Sequence, residues 1–302
     1  MDVNKHRQKM LFVLRDIFSD EILSKNLAFK GGTAAMFQYG LNRFSTDLDF
    51  NLLNPEITDV VYERLLHISE KHGTILDTAN KKFGPIVVID YGFGERNLKV
   101  EVSRRVYCNH YETKNLFGMN MRFLTLPDMF SHKLCAFWER NAPRDTFDCM
   151  FFLSKGIGLN ENIIFERTGL SVSVFLTKCA EKVSKVSSKT LMSALGELID
   201  KKQQNYVKNQ LLPDLSNALI AASAFPYVVP QSTTERERIV MNNRETIKSF
   251  LKNDIDIAMI LDKDLTDILK KESFRLKNKN GFYISFRKNA KGEFITSRGL
   301  SV

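Results

Sequence analysis

The chain has 302 residues, of which 43% are hydrophobic and 26% charged, so it can bury the core of one large domain or of two ordinary ones. No apolar run reaches the roughly 18 residues that a membrane span requires, and the N-terminus lacks the charged, apolar and small-residue regions of a signal peptide. The net charge of +9 and the pI of about 9.3 favour a polyanionic partner such as a nucleic acid or a nucleotide. We therefore expect a cytoplasmic protein with no membrane partner.

The cysteines and histidines exclude two further classes of protein. The four cysteines are scattered, with no Cys-x-x-Cys pair, and the five histidines form no cluster with metal-ligand spacing. This pattern predicts neither a disulfide framework nor a zinc site. We expect the cysteines to act as small, at least partly buried hydrophobic side chains in a reducing compartment: Cys108, Cys135, Cys149 and Cys179.

In chain order, the first 110 residues or so mix helical and strand patterns. Apolar residues recur at helical spacing over residues 4–24 and predict a helix. The extended segment LAFK leads into Gly31 and Gly32, and the helix predicted after them ends at Gly40, which suits a C-cap. Alternating patterns predict three strands and helical spacing predicts one more helix: strands at 47–53, 84–93 and 97–105, and a helix at 59–72. The mixture indicates an α/β or α+β fold, and α+β is the class that we expect.

After Pro127, which suits the first turn of a helix, helical patterns dominate to about residue 271. Aromatic residues in the first two of these helices are expected to be core rather than base-stacking platforms: Phe137, Trp138, Phe147, Phe151 and Phe152. The segment 281–297 alternates around a Lys-Gly turn and predicts a β-hairpin. We expect a first domain over 1–125 and a mainly helical domain over 126–302 that ends in this hairpin.

The C-terminal hairpin region is basic and aromatic. Residues 271–302 contain eight Lys or Arg against two Glu. The interleaved aromatic residues are Phe274, Phe282, Tyr283, Phe286 and Phe294. Such a composition is typical of proteins that bind single-stranded RNA or tRNA ends, and an ordinary solvated hairpin is an equal alternative.

Two strand patterns place carboxylates on a polar face. Side chains alternate along a strand, so Asp47 and Asp49 point away from the apolar face of their strand. A divalent cation offsets their repulsion best, because hard cations prefer oxygen ligands. Glu101 has the same position in the strand at 97–105 and joins the aspartates if the two strands pair. Three such carboxylates suit a two-metal phosphoryl-transfer site, and a solvated strand face is the alternative.

The glycine pair before these aspartates favours a phosphate site. Gly31 and Gly32 let the backbone approach a ligand closely, and the following helix presents free N–H groups and a positive dipole end. With Thr33 they suit the triphosphate of a nucleotide, and a plain tight turn is the alternative. Ser45 lies two residues before Asp47 on the same strand face, so its hydroxyl is a further candidate phosphate contact. A simple role in the turn or at the start of the strand is the alternative.

The segment FKGGTAAMFQYGLNRFSTDLDF resembles the first motif of the DNA polymerase β-type nucleotidyltransferases. More narrowly, the block at residues 43–50 is similar to that of the AbiEii abortive-infection family. A second signature of that family is a Lys-Leu-x-Ala helix followed by Arg and by Arg-Asp-x-x-Asp. It matches Lys133, Leu134, Ala136, Arg140, Arg144, Asp145 and Asp148. The resemblance covers roughly residues 28–155.

The resemblance implies a polymerase β-like mixed sheet and a nucleotidyltransferase that uses Mg²⁺ or Mn²⁺ and a nucleoside triphosphate. At the matching positions, the resemblance implies that Asp47 and Asp49 are metal ligands. In the wider superfamily a third carboxylate joins them, and Glu101 is the candidate for it. Lys133 and Arg140 lie seven residues apart on one helix face and become nucleotide contacts. Lys133 could neutralise phosphate charge in the transition state, and a salt bridge on the helix surface is the alternative.

Two aspartates of the second motif have several candidate roles. Asp145 and Asp148 are three residues apart and share a helix face. One of them could orient Lys133 or act as the catalytic base. Helix capping by Asp145 is the structural alternative.

Many members of the resembled family are toxins of toxin–antitoxin or phage-defence loci, and several add nucleotides to tRNA 3′ ends. The antitoxin is often a separate winged-helix repressor that need not contact the toxin. We therefore expect a toxin that transfers a nucleoside monophosphate to RNA, with tRNA as the best candidate. Two alternatives are a nucleotidyltransferase that modifies a small molecule such as an antibiotic, and a non-catalytic RNA-binding module with a decayed site.

Overall fold

The computed structural model describes residues 2–92, 94–140, 142–229, 271–277, 283–289 and 292–298. The N-terminal part contains two helices, α1 (Val3–Ser19) and α2 (Glu21–Asn26), where the sequence predicts one. Asp20 breaks the helix because its side chain accepts hydrogen bonds from the N–H groups of Ile22 and Leu23 and caps α2.

A seven-stranded mixed sheet follows, in the order β3-β4-β5-β2-β1-β7-β6. The pairs β2–β5 and β1–β7 are parallel and the other neighbours are antiparallel. The strands are β1 (Leu27–Lys30), β2 (Asp47–Leu52), β3 (Thr74–Lys81), β4 (Gly84–Asp90), β5 (Leu98–Ser103), β6 (Tyr111–Leu116) and β7 (Met119–Leu124). The predicted α+β class and mixed sheet are confirmed, although β3, β6 and β7 carry no clear sequence signal.

Two helices connect strands within this part of the chain. Helix α3 (Gly31–Tyr39) joins β1 to β2 and ends at Gly40 with φ of 74°, as its position after the helical pattern predicts. Helix α4 (Thr58–Glu70) follows β2 after a short 3₁₀ turn. Residues Leu48 and Phe50 of β2 are completely buried, so the apolar face of this strand is the core face.

Helices replace strands after Leu124. They are α5 (Leu126–Glu139), α6 (Pro143–Ser154), α7 (Glu161–Thr168), α8 (Val172–Val183), α9 (Ser188–Leu195), α10 (Lys201–Asn209) and α11 (Leu211–Ala224). Pro127 lies in the first turn of α5, as predicted. One continuous buried cluster extends from Met10 to Leu219 across both parts of the chain. The change from strands to helices coincides with the expected boundary at 125, but two separate domains stay a prediction.

The predicted cores of the helices are largely confirmed. The four cysteines are buried, and so are Phe137, Phe147, Phe151 and Phe152. Trp138 is only partly buried at the edge of this core. None of the described helices is long and apolar enough to cross a membrane.

The C-terminal hairpin exists and gains a third strand. Strands β8 (Ser273–Lys277), β9 (Tyr283–Lys288) and β10 (Phe294–Arg298) pair antiparallel in the order β10-β9-β8. Phe274 and Phe286 are buried and stack on each other with ring centroids 4.6 Å apart, so they are unavailable as platforms for bases. The helical pattern over 230–270 and the residues Phe282 and Lys291 lie outside the described residues.

Candidate active site

The polar face of β2 lies between its two neighbouring strands. The register places Lys30 of β1, Asp49 of β2 and Glu101 of β5 side by side. Paired residues of adjacent strands point to the same face, so one lysine and two carboxylates form a row. Asp47 lies on the same face and pairs with Lys99. The strand pairing that brings Glu101 beside the aspartates therefore exists.

Gly31 and Gly32 begin α3 beside this row. Because they have no Cβ atoms, other side chains of the protein can pack directly against them. Gly31 has φ of 79°, and a Cβ at this position would lie 2.5 Å from Oδ2 of Asp49. A Cβ on Gly32 would lie 2.7 Å from Nη2 of Arg43 and 2.8 Å from Oγ of Ser45. The glycines thus bring these polar side chains against the start of α3, where the first N–H groups have no partner within the helix.

The two predicted phosphate contacts Thr33 and Ser45 are both buried. The Thr33 hydroxyl donates to the backbone carbonyl of Asp47 at 2.5 Å and so fixes the start of β2 against α3. Because this hydroxyl is engaged within the protein, the group that Thr33 offers a phosphate is its backbone N–H in the first turn of α3. Ser45 places its Oγ beside Gly32. Phosphate binding by either residue stays a prediction.

Glu101 shares the face of the aspartates but binds a lysine of its own strand. Nζ of Lys99 lies 2.8 Å from Oε2 of Glu101. Among the described residues, no group of three or more His, Cys, Asp or Glu side chains is placed to hold a metal ion. Asp47 and Asp49 offer the hard oxygen donors that Mg²⁺ or Mn²⁺ prefers, so these two residues fit such a cation. Glu101 as a third ligand stays a prediction, because Lys99 competes for it.

Burial is the largest cause of the pKa shifts of Asp49 and Lys30 in the row. It raises the pKa of Asp49, where the charge of Lys99 opposes the shift and that of Glu101 adds to it. Burial also lowers the pKa of Lys30 to about 8, although the Asp49 carboxylate opposes the change. The charged form of Asp49 is therefore disfavoured here, and an added cation would stabilise it.

The sequence analysis missed Lys30, which directly precedes the glycine pair. Its Nζ donates to Oδ1 of Asn51 at 2.7 Å, and Asn51 donates to the hydroxyl of Tyr111 at 3.2 Å. Asn109 donates to the same hydroxyl at 3.1 Å. This network fixes the lysine at the end of the carboxylate row. Two sequence features could have pointed to Lys30: its position at the end of an apolar strand, and the presence of Asn51 on the aspartate face of β2.

His132 of α5 continues the network and is held neutral. Its Nε2 lies 2.6 Å from Oδ1 of Asn109, and its Nδ1 lies 2.8 Å from Nη1 of Arg167. Because arginine can only donate, Nδ1 is the acceptor and Nε2 carries the proton. Burial, followed by the charge of Arg167, lowers the pKa of His132 well below 6.5.

A buried ion pair joins the two sequence motifs. Arg43 of the first motif binds Asp148 of the second through two parallel bonds, Nε to Oδ1 at 2.6 Å and Nη2 to Oδ2 at 2.7 Å. Burial opposes the charge of Arg43, but the nearby carboxylates, led by Asp148 and including Asp47, outweigh it and raise the pKa. Burial likewise opposes the charge of Asp148, whose pKa is nevertheless lowered by Arg43 and Lys133. Both groups are therefore held ionised.

Lys133 of α5 lies between the two aspartates of the second motif. Its Nζ is 3.1 Å from Oδ1 of Asp145 and 2.9 Å from Oδ2 of Asp148. Burial opposes its charge, but these carboxylates prevail and raise the pKa of Lys133. Arg140 closes the network by binding Asp145, with Nε 2.8 Å from Oδ2 and Nη2 3.2 Å from Oδ1. Three cations and two carboxylates thus form one connected cluster.

This cluster bears on the roles predicted for Asp145 and Asp148. The capping alternative is wrong, because Ala142 occupies the N-cap of α6 and makes no side-chain cap bond. Burial favours protonation of Asp145, but Lys133 and Arg140 lower its pKa, so it remains ionised. A carboxylate with a lowered pKa and bound cations is a weak base. The geometry therefore favours orientation of Lys133 over general base catalysis.

One further arginine, Arg144, lies within electrostatic range of Asp47. Burial lowers the pKa of Arg144, and the charges of Arg43 and Arg96 add to the shift, whereas Asp47 opposes it. Arg144 belongs to the second motif, but Arg96 lies in a loop where no sequence signal pointed to a role. Arg144 thus connects the positive cluster around Arg43 electrostatically with Asp47.

A mixed sheet with an Asp-x-Asp strand, a glycine-opened helix beside it and a lysine on a following helix is the arrangement that the resemblance to nucleotidyltransferases implies. Over residues 13–221, the chain matches the model of the family described as the nucleotidyl transferase AbiEii toxin of type IV toxin–antitoxin systems. The match covers more than half of the chain, and the protein belongs to this family. The resemblance inferred from the two motifs is confirmed. A comparison with curated proteins gives no match.

A comparison with solved structures finds similar chains of low sequence identity. A protein from H. pylori described as a nucleotidyltransferase is 21% identical, with 74% of this chain and 93% of that chain covered and a TM-score of 0.46. JHP933 from Helicobacter pylori is 20% identical, with 82% and 97% covered and a TM-score of 0.46. An antigenic nucleotidyltransferase-like protein from Paracoccidioides brasiliensis is 16% identical, with 65% and 94% covered and a TM-score of 0.38.

Proposed function

We propose that this nucleotidyltransferase toxin transfers a nucleoside monophosphate from a nucleoside triphosphate to an RNA acceptor, with tRNA as the first candidate. It acts in the cytoplasm, and its antitoxin is a separately encoded protein, for which a winged-helix repressor without direct contact is the expected type. The observation that carries the proposal is the Arg43–Asp148 ion pair. It unites the glycine and aspartate motif with the lysine and aspartate motif, 105 residues apart, in one site.

The start of α3 is the proposed site for the triphosphate. Free N–H groups in the first turn and the positive end of the helix dipole attract phosphate oxygens. Lys133 of α5 and Arg140, which directly follows this helix, supply positive charge, and both are held ionised by Asp145. Lys133 thereby stabilises the charge that develops on the phosphates in the transition state.

The aspartates of β2 are the proposed metal ligands. Asp47 and Asp49 would hold Mg²⁺ or Mn²⁺, which supplies a counter-charge for the phosphates and lowers the pKa of a bound hydroxyl. The acceptor hydroxyl attacks the α-phosphorus in line, a new oxygen–phosphorus bond forms and the bond to pyrophosphate breaks. The proton of the hydroxyl is released to solvent.

The proposal is tested by incubating the protein with total RNA and each labelled nucleoside triphosphate in Mg²⁺ and identifying the labelled species. We expect label in a small RNA. The variants Asp47→Asn and Asp49→Asn should each abolish labelling and leave the unfolding midpoint unchanged or slightly higher, because one charge of a repulsive pair is removed. A variant that keeps a tenth of the wild-type rate would sink the assignment of these ligands.

The same experiment separates the proposal from its rivals. Label that enters a small-molecule product, with RNA left unlabelled, would identify an antibiotic-type nucleotidyltransferase. RNA that is bound but never labelled with any of the four nucleotides would identify a non-catalytic binding module. The cationic cluster around Asp145 speaks against a cationic drug as acceptor, since like charges repel.

A further inference from the structure

A cleft of about 500 Å³ lies between the end of α5, the start of α6 and the C-terminal part of α8. Residues of α5, α6, α8 and α9 and of the segments between them line it, and we name it the α5–α8 cleft. Nothing in the function proposed so far uses it. Its volume is in the range of small-molecule sites, roughly 300–1,000 Å³, and it can hold one or two nucleotide units.

The floor of the α5–α8 cleft is aromatic. Phe137 is buried beneath it, whereas Trp138 is partly exposed to it. Nζ of Lys182 donates to the backbone carbonyl of Trp138 at 2.6 Å and lies 5.7 Å from the ring centroid of Phe137 and 5.8 Å from that of Trp138. The ammonium thus lies over both rings, and aromatic rings combined with cations are typical of proteins that bind single-stranded nucleic acid.

The rim of the cleft is positive. Besides Lys182, it carries Arg140, Lys178 and Lys185, against the single carboxylate of Glu181. Lysines near the end of α8 are also stabilised by the negative end of the helix dipole, so charge alone does not define a site. The aromatic floor is the second observation, and together they match a ligand with a phosphate backbone and exposed bases.

The cleft adjoins the catalytic cluster through one residue. Arg140 lines the cleft and binds Asp145 at 2.8 Å, and the same carboxylate binds Lys133 at 3.1 Å. The bond to Asp145 raises the pKa of Arg140, and the charge of Asp49 contributes, which places the guanidinium within electrostatic range of the candidate metal ligands. A strand end held in the cleft would therefore lie beside Arg140, which is bonded to the same carboxylate as Lys133.

We propose that the α5–α8 cleft binds the unpaired end of the acceptor RNA, with a base against Trp138 and backbone phosphates at Lys178 and Lys185. The inference rests on the proposed transfer to RNA. It favours the acceptor over the incoming nucleotide because the cations are spread along the rim, as successive phosphates are, whereas the convergent triphosphate site lies at the start of α3. It also moves acceptor binding from the basic C-terminal hairpin to the helical part of the chain.

The first test uses the fluorescence of Trp138, which is the only tryptophan of the chain. A short single-stranded RNA is titrated into the wild-type protein in Mg²⁺ without nucleotide, and binding is followed in parallel by the anisotropy of a fluorescein label on the RNA. Stacking of a base should quench the tryptophan with the same midpoint as the anisotropy. RNA that binds without changing the tryptophan emission would overturn the inference.

The second test removes rim charges. The double variant Lys178→Ala/Lys185→Ala is compared with Lys201→Ala/Lys208→Ala, which removes two exposed lysines of α10 outside the cleft. Two lost phosphate contacts should lower the slope of log affinity against log salt by about 1.4 and weaken binding at least tenfold, since each contact contributes roughly 0.7 for a single strand. The control pair should keep the wild-type slope.

The outcomes distinguish this inference from the proposed function. If wild-type protein labels no RNA, the proposed function fails. If it labels RNA and the cleft and control variants bind RNA equally, only the cleft assignment fails, and an acidic protein partner becomes the better occupant of this surface. If the cleft variant instead shows a raised KM for the nucleoside triphosphate and unchanged RNA affinity, the cleft holds the incoming nucleotide and the inference is wrong.

Discussion

Replacing Gly31 by alanine should disable the site by displacing Asp49. At φ of 79° the new residue adopts the left-handed conformation, which costs an L-residue about 1–2 kcal/mol. Its Cβ would also lie 2.5 Å from Oδ2 of Asp49, whereas ordinary contacts of this kind are 3.4–4 Å. The carboxylate must therefore move by about 1 Å, a displacement that can lower turnover about a hundredfold at a catalytic position.

Gly40 provides a matched control at the other end of the same helix. It has φ of 74°, and a Cβ built there meets nothing within 4 Å. Gly40→Ala thus has the backbone cost of Gly31→Ala without the conflict with Asp49. The left-handed backbone should lower the free energy of unfolding of both variants by about 1–2 kcal/mol. Alanine also reduces the conformational entropy of the unfolded chain, which offsets about 0.4–1 kcal/mol of this loss.

The assay combines two measurements on the same preparations. Urea unfolding followed by tryptophan fluorescence gives the change in the free energy of unfolding, and transfer of a labelled nucleoside monophosphate to RNA gives turnover. We expect similar stability for the two variants and a loss of turnover of about a hundredfold for Gly31→Ala alone. Equal turnover in both would refute the reasoning, because it would mean that the position of Asp49 does not depend on the missing Cβ.

Three further predictions concern the helical side of the site. Lys133→Ala should lower turnover by about a hundredfold or more, with partial recovery in Lys133→Arg, and an unchanged rate would show that this lysine stabilises no transition-state charge. Asp148→Asn should lower the free energy of unfolding by about 3–5 kcal/mol, because Arg43 is left as an uncompensated buried cation, and a loss below 1 kcal/mol in urea titrations would contradict that role. Stability should fall as the pH drops below 6.5, by up to about 1.4 kcal/mol per pH unit from His132, because the unfolded chain binds a proton there that the folded protein excludes. A His132→Gln variant should lose this part of the slope, and an unaltered slope would count against a neutral His132.

Local sequence patterns were sufficient to predict the strand that forms the carboxylate face and the end of the helix that precedes it. The alternation in β2 predicted which side of the strand holds Asp47 and Asp49, because Leu48 and Phe50 can only point to the core. The glycine C-cap at residue 40 was equally local. Strand β6 escaped detection because polar and charged residues make up most of it and the apolar alternation is weak.

Long-range partners could not be predicted in the same way. Both motifs were recognised, but no pattern says that Arg43 binds Asp148, since the pairing depends on how α5 and α6 pack against the sheet. Glu101 shows the same difficulty on a shorter scale. The alternation placed Lys99 and Glu101 on one face, and only the three-dimensional arrangement shows that the two bind each other at 2.8 Å.

The glycine pair connects the two halves of the site. On one side, Gly31 lets Asp49 approach the start of α3, and on the other, Gly32 makes room for Arg43 and Ser45. The negative half of the site and the positive half therefore meet at a single helix start. Asp49 has a raised pKa and would be stabilised by an added cation, whereas the cluster around Arg43 has one more cation than carboxylates and would be stabilised by an anion. A divalent metal bound to a triphosphate supplies both charges in one ligand, which is why this arrangement supports nucleotide transfer better than binding of either ion alone.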